Sequence, residues 1–188
     1  TDLPPAPEIE MKSRHLSDFG VTILHDGGKP GHENWALIRH GKHHGGHCHY
    51  DMLGIVGHAH GQPLQDDCGS NYKDPLHFSW ARNTISHNTI TVDESCQQKT
   101  MGKVEYLSTP VSGPQVVVVS DESAYPGVRL ERSLIFVQGI QLLVDRATSD
   151  TEHTYDWVLT SYGKVRATSA ESRPIPPLEA TPLPESIY

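Results

Sequence analysis

Thirteen histidines are spread very unevenly along this 188-residue chain, and nine of them fall in the stretch that begins at His40 and ends at His87. The densest run is Gly45-Gly46-His47-Cys48-His49-Tyr50-Asp51. On extended backbone, residues i and i+2 point the same way, so residues 46–51 read as a strand would project His47 and His49 together. Two imidazoles on one face suit Zn2+, or another divalent ion such as Mn2+. Asp66-Asp67-Cys68-Gly69 adds a carboxylate at the end of a short strand, with Asp67, directly before Cys-Gly, preferred over Asp66. Ser86-His87-Asn88-Thr89 adds another imidazole where the next strand opens. A His, His, Asp set drawn from adjacent strands gives an ion three protein ligands and one open position. The competing reading is a group of polar core residues that satisfy backbone donors.

These residues need elements to position them. Short apolar stretches recur at roughly ten-residue spacing, separated by Gly, Pro, Asn and Asp. Strands are expected over residues 19–25, 35–39, 52–60, 89–93, 116–119, 128–138, 140–146 and 153–162. Within 35–39, Ala36 and Ile38 share one face and Trp35, Leu37 and Arg39 the other. Gln138-Gly139 reads as a tight hairpin, because glycine tolerates positive φ. No long capped helical period occurs. The pattern predicts an all-β, antiparallel β-sandwich over residues 15–164, after an irregular lead-in (1–14) and before a Pro-rich tail or linker (165–188) that holds five of the fourteen prolines.

Bulk properties narrow the partners. A formal net charge of −8 argues against nucleic acid. No apolar run approaches the twenty residues of a membrane span, and no signal peptide is evident. The first residues are Thr1-Asp2-Leu3-Pro4-Pro5 rather than Met, so a processed product or a fragment is expected. Three cysteines, Cys48, Cys68 and Cys96, are too few and odd in number for a disulfide framework. Cys48 and Cys68 could pair if their motifs converge, but free thiols are the expected state.

Gly46-His47-Cys48-His49-Tyr50-Asp51, Asp67-Cys68-Gly69 and Arg82-Asn83-Thr84-Ile85-Ser86-His87-Asn88-Thr89 occur in this order. Together they resemble the C-terminal half of the heparinase II/III-like polysaccharide lyases, a group that includes oligoalginate lyases. The late Glu152-His153-Thr154-Tyr155-Asp156-Trp157 is similar to a strand of the same family. The resemblance covers roughly residues 20–163.

The resemblance implies a supersandwich-like β-domain that follows an N-terminal helical toroid. It implies Zn2+ held by His49, Asp67 and His87, with His47 facing a substrate cleft as the catalytic group. The implied reaction is β-elimination on a uronic acid in an anionic polysaccharide or oligosaccharide, such as alginate or a glycosaminoglycan. The family's catalytic Tyr, and the groups that neutralise the uronate carboxylate, come largely from the toroid, so this chain carries part of an active site. Around the ligands, Asp51 is expected to orient a neighbouring histidine and Asn88 the backbone of His87. Arg82 is expected to pair a sugar carboxylate or sulfate, or else a structural carboxylate. Tyr72 is expected to line the cleft, while His43, His44, His58 and His60 read as surface residues. A uronate C5-epimerase and a non-catalytic, metal-stabilised carbohydrate-binding sandwich are the alternatives. A periplasmic or secreted location is expected from the resemblance, and a homo-oligomer is left open.

Overall fold

The computed structural model describes residues 11–29, 31–69 and 71–162. Its strands run in chain order: β1 (Arg14–Leu16), β2 (Val21–His25), β3 (Trp35–Arg39), β4 (Ile55–Ala59), β5 (Gln62–Gln65), β6 (Ile90–Val92), β7 (Lys103–Ser108), β8 (Gln115–Tyr125), β9 (Val128–Val137), β10 (Ile140–Ser149) and β11 (Tyr155–Trp157). β1 to β5 form one sheet in sequential order, β7 to β10 form a second, and β6 pairs with β11. Every pairing is antiparallel. The all-β antiparallel expectation therefore holds. Among the described residues no helix is long and apolar enough to cross a membrane.

Alternation builds the core. In β3, Ala36 and Ile38 are buried while their neighbours are half-buried. In β9, Val128, Leu130, Leu134 and Phe136 face inward. They meet Leu24, Ile38, Leu53, Ile55, Ile90, Val117 and Val119 in one apolar cluster that joins the sheets. Each fully buried large aliphatic or aromatic side chain contributes roughly 1.5–3 kcal/mol relative to exposure.

Tight turns set the register. Gln138 and Gly139 both take positive φ, 48° and 75°, and Val137 pairs Ile140 across them. This geometry matches the right-handed twist of the flanking strands. A second tight approach is at Gly20, whose φ is +75° and where an added Cβ would lie 1.9 Å from Gly41 Cα. The Gly20 carbonyl accepts from both His40 N–H and Gly41 N–H at 2.8 Å, so the start of the histidine-rich connection hangs on this point. Gly20→Ala is expected to cost about 2–3 kcal/mol, from left-handed strain plus a backbone clash, measurable as a lowered urea midpoint. A midpoint equal to wild type would refute the tight approach.

Four expectations are corrected. Residues 46–51 form no strand, because Gly45 takes a φ of +105° and Cys48 N–H bonds back to Gly45 O at 2.9 Å, closing a turn. The strand expected over 52–60 begins at Ile55, after Leu53 takes a φ of 61° and Gly54 N–H bonds to Asp51 O. That expected over 153–162 shortens to Tyr155–Trp157, although its entry is pinned where Asp93 binds His153 Nδ1 and Thr154 N–H. The irregular lead-in already ends at Arg14, where β1 begins, and its residues 1–10 lie outside the described residues, as does the tail over 165–188.

Candidate metal centre and the cleft beside it

Two connections, β3–β4 and β5–β6, converge at the end of the first sheet. The β3–β4 connection brings His47 and His49. The segment after β5 brings Asp67. A one-turn π-helix (His77–Ala81) and a 3₁₀ turn (Thr84–Ser86) lead to His87 just before β6. The long β3–β4 connection is tied down at several points. Arg39 N–H reaches Gly54 O, Leu53 N–H returns to Arg39 O, Tyr50 N–H reaches Arg82 O, and Gln97 Oε1 accepts from Met52 N–H. Such ties make a loop stiff enough to carry ligands.

One ligand atom from each of His49, Asp67 and His87 lies within 4.8 Å of the others. Two imidazoles bound to one tetrahedral ion put their ring centroids roughly 5 Å apart, given metal–nitrogen bonds of about 2.0–2.1 Å. The His49 and His87 centroids are 5.1 Å apart. Asp67 Oδ2 lies 2.7 Å from His87 Nδ1, and Asp67 Oδ1 accepts from Gly69 N–H. His87 Nε2 is buried with no partner, a cost of about 1–3 kcal/mol unless a ligand satisfies it. A two-nitrogen, one-carboxylate set with an orphaned nitrogen fits a borderline divalent ion.

The electrostatics agree. Burial, and then the neighbouring His87, push His49 down to about 4, so its ring is neutral and its lone pair available at neutral pH. Burial alone would raise Asp67, but the hydrogen bond with His87 and the Gly69 N–H bring its carboxyl below the usual range. The Asp67 carboxylate is therefore anionic throughout the neutral range.

Asn88 ties the segments around the candidate site together. Its amide donates to Ile55 O and Asp66 O, and its side-chain oxygen accepts from Thr160 N–H. It fixes the carbonyl beside Asp67 as well as the backbone after His87. Asp66 turns elsewhere, accepting from Tyr162 Oη at 3.3 Å and from Asp67 N–H. Asp51 corrects another expectation. Its hydrogen-bonded side-chain partner is Arg39 at 2.7 Å, not a histidine, and burial raises its carboxyl despite that arginine. Its job is to brace the base of the histidine loop.

Beside the triad lies an exposed pair, His47 Nδ1 and Tyr72 Oη, 2.7 Å apart. The turn at residues 45–48 sends His47 to this pair and His49 to the triad, not both to one face. Arg82 sits behind them. One guanidinium nitrogen donates to Cys48 O, and the group lies 5.6 Å from the Phe78 ring centre. No carboxylate partner of Arg82 is found among the described residues. Cys48 and Cys68 are free thiols. His44 and His60 are exposed, but His43 is buried against Tyr50, ring centres 4.8 Å apart, and His58 stacks on Trp35 at 4.4 Å. The surface expectation therefore fails for His43, which Tyr50 helps to cover, while His58 is half-buried with one face on Trp35.

The sequence reading passed over His77. It is fully buried, packed under Tyr72 and edge-on to His49. The signal was a histidine inside the apolar run Pro75-Leu76-His77-Phe78-Ser79-Trp80, ten residues ahead of His87.

The family model described as "Heparinase II/III-like, C-terminal" matches residues 9–175. This chain belongs to that family. Among curated relatives, an alginate lyase of Stenotrophomonas maltophilia is 25% identical over 182 residues, covering 84% of this chain and 24% of its own. An exo-oligoalginate lyase of Saccharophagus degradans is 30% identical over 176 residues, covering 79% and 23%. The chain thus spans about a quarter of the length of these relatives. A solved heparinase III superposes with a TM-score of 0.72 at 19% identity, over 89% of this chain and 26% of that one. This likeness is one of fold, and it agrees with the antiparallel sheets described above.

Proposed function

We propose that this chain forms the metal-holding wall of a polysaccharide lyase active site that cleaves uronic-acid-containing chains by β-elimination. The observation that carries the reading is the convergence of His49, Asp67 and His87 directly beside the solvent-facing His47–Tyr72 pair. The family membership and the printed names of the two alginate-cleaving relatives support it, and they make alginate oligosaccharides the first substrates to try.

In such a reaction a base takes the C5 proton and the electron pair becomes the C4=C5 bond. The C4–O bond breaks, and the departing oxygen takes up a proton. His47 and Tyr72 suit the proton steps. Nδ1 of His47 is engaged by the Tyr72 hydroxyl, which leaves Nε2 to exchange a proton, and the two groups hydrogen-bond at a distance that allows relay. Arg82 and the neighbouring N–H groups would offset charge that develops on the uronate. A Zn2+ or Mn2+ ion at His49, Asp67 and His87 would supply fixed positive charge and hold the loop that aims His47. The other groups around the uronate carboxylate would come from a helical domain facing this wall.

The protein that carries this domain is expected to raise absorbance at the ultraviolet edge when mixed with alginate oligosaccharides, as the C4=C5 bond forms. His47→Ala and Tyr72→Phe are each expected to lower kcat by at least about a hundredfold, the usual scale for removing an acid–base group, with the fold unchanged by circular dichroism. Isomerised uronate without that absorbance would replace the lyase by an epimerase. Sugar binding with neither product would leave a binding module.

A further inference from the structure

His77 is a buried imidazole that neither the triad nor the cleft pair uses. It opens the one-turn π-helix, and neither of its ring nitrogens has a partner in the protein. A neutral imidazole carries one N–H donor and one lone pair, and buried polar groups in native proteins find partners. A partner from outside the chain is therefore called for. Tyr72 and Asp67 are already engaged. Tyr72 Oη is held by His47 and Gly46 O, and Asp67 by His87 and Gly69 N–H. The His49 ring of the candidate metal set lies edge-on to His77, and three protein ligands would leave one position open on an ion bound there.

Distances separate a ligand from a neighbour of a ligand. The His49–His87 spacing of 5.1 Å fits two imidazoles on one ion. The His49–His77 spacing is 6.3 Å, with the rings inclined at 67°. At that separation the two rings stand farther apart than two imidazoles on one ion, which leaves room for an oxygen hydrogen-bonded to the His77 ring. We propose that His77 holds, through a ring nitrogen, the oxygen that occupies the open position of the metal centre. It is a positioning residue, not a fourth ligand, and the proposal rests on the metal reading above. The same ring carries Tyr72 on its face, with centroids 4.3 Å apart. The open position of the ion and the His47–Tyr72 pair are thereby held in one fixed relation.

The test uses His77→Phe, which keeps a ring under Tyr72, and His77→Gln, which keeps a hydrogen-bonding side chain. Zn2+ affinity is read by competition with a chromophoric chelator, the Co2+ form by its visible spectrum, and bound imidazoles by X-ray absorption. Wild type is expected to take up one ion with two imidazoles. The Phe variant is expected to keep the ion and both imidazoles, with affinity about tenfold weaker and a changed Co2+ spectrum. The Gln variant is expected to recover most of that affinity. Wild-type affinity and spectrum in the Phe variant would overturn the proposal. So would three imidazoles in wild type, a count that decides the matter even where a variant fails to fold. A wild-type protein that takes up no ion would overturn the metal reading and this inference with it, whereas an ion indifferent to His77 overturns the inference alone.

Discussion

His87→Ala is expected to abolish ion binding. Wild type should hold about one divalent ion per chain and the variant none, with affinity down by more than about a hundredfold. His87 is buried beside His49 and bonded to Asp67, so the substitution removes one ligand and the hydrogen bond that orients another. Two losses of stability follow. Deleting a buried ring costs about 2–4 kcal/mol through the cavity left behind. An ion that binds only the folded state contributes about 2.7 kcal/mol at a hundredfold excess over its Kd, and that contribution disappears as well. A chelator separates the two, since it should lower the Tm of wild type by several degrees and leave that of His87→Ala unmoved. His49→Ala should behave in the same way with a smaller cavity term, because that ring is only half-buried. Full ion occupancy in both variants, by elemental analysis, would sink the ligand assignment.

How far the sequence carried this site depends on what kind of signal each residue left. The strands that alternate, β3 and β9 above all, were legible because one face is buried and the other is not. β7 was not, because Lys103-Val104-Glu105-Tyr106-Leu107-Ser108 has a bulge between Val104 and Tyr106 that breaks the two-residue period. β5 was expected only as a short strand without bounds before Asp66, because Gln62-Pro63-Leu64-Gln65 is short and contains proline, which belongs on a sheet edge, where β5 lies. His49, Asp67 and His87 were legible only as motifs in order. The geometry first inferred for His47 and His49, two histidines on one strand face, was wrong, because the glycines before His47 favour a turn. His77 left almost no trace, since a histidine in an apolar run reads as core and its unsatisfied nitrogens exist only in three dimensions. Arg132 too was passed over, although it occupies an inward position of β9, in phase with Leu130 and Leu134, where the two-residue period could have revealed it.

That arginine carries the second large effect. Its side chain is fully buried, with Nε and Nη2 on the Asp145 carboxylate at 2.6 and 3.0 Å, and Nη1 on Leu53 O and Asn88 O at 2.7 and 2.8 Å. It therefore ties the second sheet to the backbone on both sides of the site, after Asp51 in one loop and immediately after His87 in the other. Arg132→Met keeps the volume and removes the charge. It strands one carboxylate and two buried carbonyls, so a loss of about 3–5 kcal/mol is expected, or on the order of 10 °C in Tm. The double variant Arg132→Met with Asp145→Leu should regain part of this, because a buried ion pair replaced as a unit is far less costly than one broken in half. The loss that remains in the double variant measures the two carbonyl contacts. Since one of those carbonyls belongs to Asn88, the double variant should also show a weakened ion affinity while His49, Asp67 and His87 are all intact. If the double variant binds the ion as tightly as wild type, Arg132 serves the sandwich alone and His87 is positioned by Asn88 and Asp67 without it.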